Sequence, residues 1–213
     1  MVAVSGTSLE RVKIAALRPT QMTLGYREVQ HKRKAWAEQR EKLGEKYIEH
    51  HMIPAVLGPK QRFYIVDHHH LARALHEEGV EDILVVVLAK LDQLEKYPFW
   101  VFLDNQSWVH PFDADGRRCE YGRIPKSIAD MQDDPYRSVA GELRRQGGFA
   151  KEETPFTEFI WADALRPRIK RKLIEQDFSR AMEHGDQIRK QPASRLPARL
   201  GRPGDRLSRS DPA

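Results

Sequence analysis

The feature that most constrains the fold is a strand-like run at residues 62–66 that passes directly into Asp67-His68-His69-His70. The run is rich in β-branched and aromatic residues, which predicts a strand. Leu71 and Leu75 then follow at helical spacing, before a glycine in a typical C-terminal stop position. The sequence therefore predicts a strand that turns into a helix, with Asp67 as the N-cap of that helix.

Similar patterns predict the elements around this junction. Residues 12–17 and 53–57 favour strands, and the second of them should form a hairpin with residues 62–66. Residues 28–43 have the spacing of an amphipathic helix. The continuous apolar run at residues 83–89 predicts a strand that is fully buried.

Beyond residue 90 the pattern changes to helices. The candidates, most of which open near a proline as first helical turns favour, cover residues 92–100, 125–131, 135–146, 155–165 and 167–184. From residue 185 onward proline, arginine, glycine and serine dominate, which predicts a disordered tail. We therefore predict an α+β protein with a small α/β domain at 11–90, a helical region at 91–184 packed on it, and a basic tail at 185–213.

The positive charge is concentrated in that tail. The whole chain carries a net charge of +5, and residues 185–213 contribute +4 of it, with seven Lys or Arg against three Asp. The other residues together carry only +1. The folded part is therefore not an obvious surface for nucleic acid, and we expect any nucleic-acid contact through the tail.

The composition, 40% hydrophobic and 31% charged, is typical of a globular protein. No apolar run approaches the roughly 20 residues that cross a membrane, and the start lacks the features of a signal peptide. We therefore expect a cytoplasmic protein without a membrane partner, whose oligomeric state the sequence leaves open. The single cysteine, Cys119, can form neither an internal disulfide nor a cysteine-based zinc site.

The start of the predicted helix has the properties of an anion site. Its first backbone N–H groups, those of His68, His69 and His70, have no intrahelical acceptor, and the helix dipole adds about half a positive charge. His69 and Arg73 lie four residues apart on one helix face, where both can donate to phosphate oxygens. His68 falls on the apolar stripe and is predicted to face inward.

Asp67 leaves several interpretations open. Its carboxylate would repel a phosphate unless it caps the helix, binds a metal such as Mg²⁺, or acts as a base. The junction can also be no more than a capped helix start with histidines on the surface. Three adjacent histidines cannot chelate one transition metal, because consecutive helical residues point about 100° apart. Asp133 and Asp134 precede Pro135, where they can cap a helix or bind Mg²⁺.

Several motifs occur together and in a fixed order. They are Arg18-Pro19-Thr20-Gln21, Gly25-Tyr26-Arg27-Glu28-Val29, Ile53-Pro54, Tyr64-Ile65-Val66-Asp67-His68-His69-His70-Leu71-Ala72-Arg73-Ala74, Asp133-Asp134-Pro135-Tyr136-Arg137-Ser138, Gly147-Gly148-Phe149 and residues 155–162. This order resembles the ParB/sulfiredoxin superfamily, and more closely its group of ParB-like nucleases. The resemblance covers roughly residues 11–180.

The resemblance implies that the segment from Asp67 to Arg73 binds nucleotide phosphates. In the superfamily this segment binds CTP in partition proteins, ATP in sulfiredoxins, and ADP or ATP in free-serine kinases, which also use an upstream glutamate as base. By this resemblance, Asp67, His69 and His70 would lie in the phosphate site and Glu28 would be the base. His68 and Arg73, in the same segment, and Gln21, in the first of the motifs, are further candidate ligand-binding residues. Asp67 is also the candidate ligand of Mg²⁺.

The chain also departs from these relatives. His68 stands where the kinases have glycine, so the backbone should approach a phosphate less closely. The Gly-Glu-Arg-Arg box of the partition proteins is replaced by Asp-His-His-His, which disfavours a CTP clamp. The loop lacks the sulfiredoxin cysteine, since Cys119 is far away in sequence, and this disfavours sulfinic acid reduction.

Three functions are compatible with these features. The first is Mg²⁺-dependent phosphoryl transfer or phosphate-ester hydrolysis with ATP, ADP or CTP, in which Glu28, Asp67 and His69 are the catalytic residues. The second is a nuclease that holds the scissile phosphodiester at the same site, with DNA or RNA guided by the basic tail. The third is a non-catalytic module that binds a nucleotide and responds to it.

Overall fold

The computed structural model describes residues 7–43, 45–147 and 156–191 of the 213-residue chain. The chain forms two compact units, of which the first ends at Asp134 and the second begins at Pro135. The first combines a sheet with helices, and the described part of the second is helical, which confirms the predicted α+β class. No helix in the described ranges is long and apolar enough to cross a bilayer.

The first unit contains seven short strands and four α-helices among its described residues. In chain order they are β1 (Ser8–Lys13), β2 (Arg18–Pro19), β3 (Thr23–Leu24), α1 (Tyr26–Leu43), α2 (Glu45–His50), β4 (Ile53–Gly58), β5 (Arg62–Ile65), α3 (His69–Glu77), β6 (Asp82–Lys90), α4 (Lys96–Asn105) and β7 (Gln132–Asp133). Three 3₁₀ helices lie between them, at Ile14–Ala16, Tyr121–Arg123 and Ile128–Asp130.

Five of the strands form one mixed sheet with the order β1-β6-β4-β5-β2. β4 and β5 are antiparallel neighbours, which confirms the predicted hairpin. β6 lies parallel to β4 and antiparallel to β1, while β2 lies parallel to β5 at the other edge. β3 and β7 form a separate parallel pair that joins positions more than a hundred residues apart in sequence.

The sheet separates two hydrophobic cores. The inner residues of β6, such as Ile83 and Val85, pack with side chains of α1 and α3 on one face. On the other face Phe99 and Trp100 of α4 pack against Val56. α4 belongs to this second core, and residues 91–134 are part of the same compact unit as the sheet. The sequence patterns group these residues with the helical region instead.

The burial of β6 corrects one prediction. Its residues alternate between partly buried and buried from Asp82 to Ala89, whereas the unbroken apolar run predicted burial on both faces. The reason is that the two faces are covered unequally. Hydrophobicity alone cannot distinguish a fully covered strand face from a half-covered one.

Several boundaries also differ from the sequence patterns. The predicted strand at 12–17 ends at Lys13, where the 3₁₀ helix begins, and residues 125–131 contain only a 3₁₀ turn instead of a helix. The predicted helix at 92–100 starts later, as α4, at Lys96. Short 3₁₀ turns have no periodic signal by which a sequence could reveal them.

The second unit contains α5 (Pro135–Arg145), α6 (Thr157–Leu165), α7 (Arg171–Gln176) and α8 (Phe178–Arg189). The predicted helix at 167–184 is therefore two helices. The break lies at Asp177, whose carboxylate caps α8 by accepting the N–H of Arg180 at 3.0 Å. α8 continues into the start of the predicted tail, and residues 192–213 and 148–155 lie outside the described residues.

Candidate functional site

The junction between β5 and α3 is built around a histidine in a left-handed conformation. His68 has φ 61° and ψ 28°, and α3 begins one residue later. Non-glycine residues adopt this conformation uncommonly, although histidine is among the residues enriched there. His68 is therefore the N-cap position of α3, and the prediction that Asp67 caps the helix is wrong. The left-handed residue adds one more position between strand and helix.

Asp67 instead interacts with its neighbour. Its Oδ1 accepts the backbone N–H of His68 at 2.6 Å, and its Oδ2 lies 3.4 Å from His68 Nδ1. These hydrogen bonds, the side-chain one above all, hold the pKa of Asp67 well below its usual range. The side chain is 72% exposed, so the junction presents an ionised carboxylate to solvent.

The two following histidines exchange the predicted roles. His68, predicted to face inward, has a side chain that is 45% exposed, whereas His69 is only 2% exposed. The apolar stripe of α3 cannot be extended back to His68, because this residue is not helical. The inward position at the start of the helix therefore falls to His69.

His69 anchors a loop to the junction. Its Nε2 accepts the backbone N–H of Thr20 at 3.1 Å, and the Thr20 hydroxyl donates to the carbonyl of Ile65 at 2.8 Å. Because a backbone amide can only donate, Nε2 must carry a lone pair, which places the ring proton of neutral His69 on Nδ1. The Nε2 atom of His69, which would reach a ligand, is therefore already hydrogen-bonded to the loop.

His70 anchors the other end of the same loop. Its Nε2 accepts the N–H of Gly25 at 3.1 Å. Together the two histidines hold residues 20–25 against the start of α3. Gln21, one of the predicted ligand-binding residues, lies in this loop and is 7% exposed.

The same contacts bring the start of α1 to the start of α3. α1 begins at Tyr26, directly after Gly25, and the N–H of Glu28 donates to the Gly25 carbonyl at 3.0 Å. Glu28 is 9% exposed, and its Oε1 lies 3.9 Å from Nζ of Lys32. The candidate base therefore occupies the first turn of α1, and Gly25 links that turn to His70.

Arg73 connects three elements. Its Nε donates to Glu77 at 2.6 Å, and its Nη1 donates to the carbonyls of Ile128 at 2.9 Å and Ala129 at 2.5 Å. Its guanidinium also lies 5.2 Å from the centre of the Tyr26 ring. Within the described residues only Nη2 makes no hydrogen bond, so this nitrogen is the donor that Arg73 has left for a ligand.

Two further contacts at the site were not predicted from the sequence. Asp133 accepts the N–H of Tyr26 at 2.9 Å and so caps α1, from more than a hundred positions away. His110 donates its backbone N–H to the Thr20 carbonyl at 2.9 Å and forms a parallel β-bridge with Gln21. Both contacts join distant segments, and no local pattern could have indicated them.

The acidic residues alone do not make a metal centre. No group of three or more His, Cys, Asp or Glu that could hold an ion occurs in the part of the chain that the structure describes. Mg²⁺, however, is commonly held by one or two carboxylates together with water and substrate phosphates. Asp67, ionised and exposed, fits that mode, in which the ligand brings the ion with it.

Comparisons with known proteins agree with this architecture. Residues 10–167 match a family model described as "Putative ParB-like nuclease". The chain belongs to this ParB-like family. The crystal structure of protein Atu1540 from Agrobacterium tumefaciens resembles the ParB-like chain with 47% identity and a TM-score of 0.83, covering 90% of this chain and 96% of that one. No curated protein matches the chain.

Proposed function

We propose that this ParB-like protein binds the phosphates of a nucleotide, ATP, ADP or CTP, at the start of α3 and catalyses Mg²⁺-dependent phosphoryl transfer or phosphate-ester hydrolysis. The observation that carries the proposal is the 3.1 Å hydrogen bond between Gly25 and His70. It brings the N-termini of α1 and α3 within about one side-chain length of each other. Two helix N-termini side by side favour an anion.

The two helix starts differ in a way that selects α3 as the phosphate position. Asp133 already caps α1, so a carboxylate occupies that end. The N-cap of α3 makes no side-chain capping hydrogen bond. The Nη2 group of Arg73, one turn further along α3, is a further donor for the same anion.

Asp67 would oppose a phosphate on its own, because both groups are negative. Asp67 would hold a Mg²⁺ ion that accompanies the nucleotide, and the charge of this ion would offset the repulsion between the carboxylate and the phosphates. The exposed position of Asp67 leaves its carboxylate accessible to such an ion. We therefore assign Asp67 to the metal, and His69 and His70 to holding the loop that borders the phosphates.

Glu28 is the candidate base. In the proposed reaction the oxygen of a hydroxyl or water forms a bond to the terminal phosphorus, the bond to the leaving phosphate breaks, and the proton goes to the Glu28 carboxylate. Its burial and its place in the first turn of α1 support this role.

Calorimetry on the full chain tests the proposal. Titration with ATP, ADP and CTP in the presence of Mg²⁺ should show binding, and Asp67→Asn should weaken it only when Mg²⁺ is present. Glu28→Gln should bind normally but lose turnover. The matched controls Asp115→Asn, in an exposed turn, and Glu38→Gln, on the exposed side of α1, should change neither. Absence of binding by all three nucleotides, or full turnover by Glu28→Gln, would contradict the proposal.

The family description favours a second candidate, cleavage of nucleic acid at the same junction. A phosphodiester would then replace the nucleotide phosphates, and Glu28 would activate the attacking water. Incubation of the full chain with single- and double-stranded DNA and RNA in Mg²⁺ tests this function. Cleavage that disappears in both Asp67→Asn and Glu28→Gln would support it, and cleavage that persists in both would rule it out.

A further inference from the structure

The face of the sheet that carries α4 also carries a line of aromatic rings with no role in the proposed reaction. The Tyr64 ring, on β5, lies 5.5 Å from that of Trp100, on α4. The Trp100 ring stacks on Tyr121 at 5.9 Å, with an angle of 14° between the planes. The guanidinium of Arg118 follows, 5.5 Å from the Tyr121 ring centre. The line therefore runs from the sheet to an exposed arginine.

Arginines also stand at the other end of this line. Arg18 is the cross-strand neighbour of Tyr64 and donates to the carbonyl of Lys126. Arg62, two residues before Tyr64, lies on the same face of β5. Burial raises the pKa of Tyr64, while the positive charges of Arg62 and Arg18 act in the opposite direction.

Two of the three arginines on this side of the unit are not paired with an acid in the described ranges. Within the described residues Arg18 and Arg62 form no ion pair, in contrast to Arg33 and Arg73 on the opposite face, which pair with Glu77. Arg118 pairs with Asp104. The segment 117–126 adds further positive charge. It contains four basic residues, Arg117, Arg118, Arg123 and Lys126, and one acidic residue, Glu120.

An exposed tyrosine completes this surface. Tyr97 is 73% exposed and lies on the same stripe of α4 as Trp100 and Asp104, three and seven residues away. Its side chain makes no hydrogen bond and no ring contact with the described residues. We call Arg18, Arg62, Tyr97, Arg118 and Tyr121 the arginine–tyrosine surface.

We propose that the arginine–tyrosine surface binds single-stranded nucleic acid, with phosphates at Arg18, Arg62 and Arg118 and a base stacked on Tyr97. Arginine suits phosphate because its planar fork donates two hydrogen bonds, and a tyrosine ring accepts any base. A membrane surface would need apolar side chains between the cations. Of the large hydrophobic residues that are exposed in the described ranges, only Tyr97 lies on this surface.

This surface differs from the predicted tail contact in a way that can be measured. Residues 185–213 contain basic residues but no aromatic residue, so binding through them would be electrostatic alone. Binding at the arginine–tyrosine surface should depend on Tyr97 and favour single strands over duplex, whose bases are already stacked. The inference does not depend on the proposed nucleotide reaction.

Fluorescence anisotropy with the full chain and a labelled thymidine oligonucleotide of about 20 residues tests the inference. Tyr97→Ala should weaken binding by about fivefold or more without changing its salt dependence. Arg62→Gln should lower the slope of log affinity against log salt by about 0.7. The controls Leu43→Ala and Arg40→Gln, exposed on α1 across the sheet, should have no effect on either quantity.

Two results would overturn the inference. One is unchanged affinity in Tyr97→Ala, which would leave the tail as the binding element. The other is equal binding of polyglutamate or of anionic phospholipid vesicles with no dependence on Tyr97. Calorimetry of Tyr97→Ala with ATP and Mg²⁺ should match the wild type, so failure here is distinguishable from failure of the proposed nucleotide site.

Discussion

His69 is almost fully buried, and its Nε2 accepts the N–H of Thr20, which is buried as well. A buried amide that loses its acceptor costs about 1–3 kcal/mol, in addition to the lost packing. We expect His69→Leu to lower the free energy of unfolding by about 2–4 kcal/mol. His69→Gln should cost less, because Oε1 of glutamine can take the place of Nε2. Urea denaturation followed by circular dichroism measures both, and equal losses would show that the hydrogen bond is unimportant.

The ionised state of Asp67 makes a pH-dependent contribution to stability. Its pKa is lower in the folded protein, because it accepts hydrogen bonds from His68. Such a group stabilises the fold above its unfolded pKa of about 3.9, and this contribution is lost as the pH falls further. We expect the free energy of unfolding at pH 7 to be higher in the wild type than in Asp67→Asn by no more than about 1 kcal/mol, since the side chain is mostly exposed.

The difference between wild type and Asp67→Asn should shrink between about pH 4 and pH 2. Urea denaturation at several pH values, with Asp115→Asn as the control for an exposed turn aspartate, provides the measurement. A difference that stays constant over this range would show that the Asp67 charge is not responsible.

For single residues, the sequence predicted which side chains lie at the junction better than it predicted which way those side chains face. It indicated that histidines follow the strand. The prediction that His68 faces inward and His69 faces a ligand was the reverse of what the structure shows. The error has one cause, the left-handed His68, for which a non-glycine residue gives no sequence signal. The proposed roles of Glu28 and Gln21 came from resemblance alone, and their burial was not predictable from local pattern.

At the scale of elements, the hairpin of β4 and β5 depends on a glycine under α4. A Cβ atom added at Gly58 would lie 2.7 Å from two atoms of the Phe99 ring and 2.8 Å from the Tyr64 ring. We expect Gly58→Ala to destabilise the protein by about 1–3 kcal/mol, because the two rings must move within a packed core. Gly122→Ala is the matched control, since its Cβ would meet nothing within 4 Å. Thermal unfolding of both variants decides whether close packing, and not glycine loss as such, is responsible.

The elements themselves were largely predictable where their signal is local. Helical spacing indicated α1 and α3, a proline at the first position indicated α5, and apolar or β-branched runs indicated β4, β5 and β6. The two-residue strands β3 and β7 were missed, because each exists only through pairing with the other across the chain. The break between α7 and α8 was also missed. It depends on Asp177 as the N-cap of α8, and an aspartate inside a helical pattern does not by itself indicate a break.

At the scale of the whole molecule, the first unit contains both cores that flank its sheet. We therefore expect a fragment that ends at Asp134 to unfold cooperatively. A fragment that ends at Lys90 should not, because it lacks α4 and exposes the apolar face of the sheet around Val56. Urea denaturation of both fragments tests this, and cooperative unfolding of the shorter one would show that α4 is dispensable.

β1 forms one edge of the sheet within the described residues, and a strand at an edge can pair with the same strand of another copy. In an antiparallel pairing about a twofold axis, one residue faces its own counterpart. The two registers that use most of Ser8–Lys13 are centred on Glu10 or on Arg11. Each would place two like charges directly opposite one another, which is destabilising. The middle of this strand therefore protects the protein against edge-to-edge aggregation.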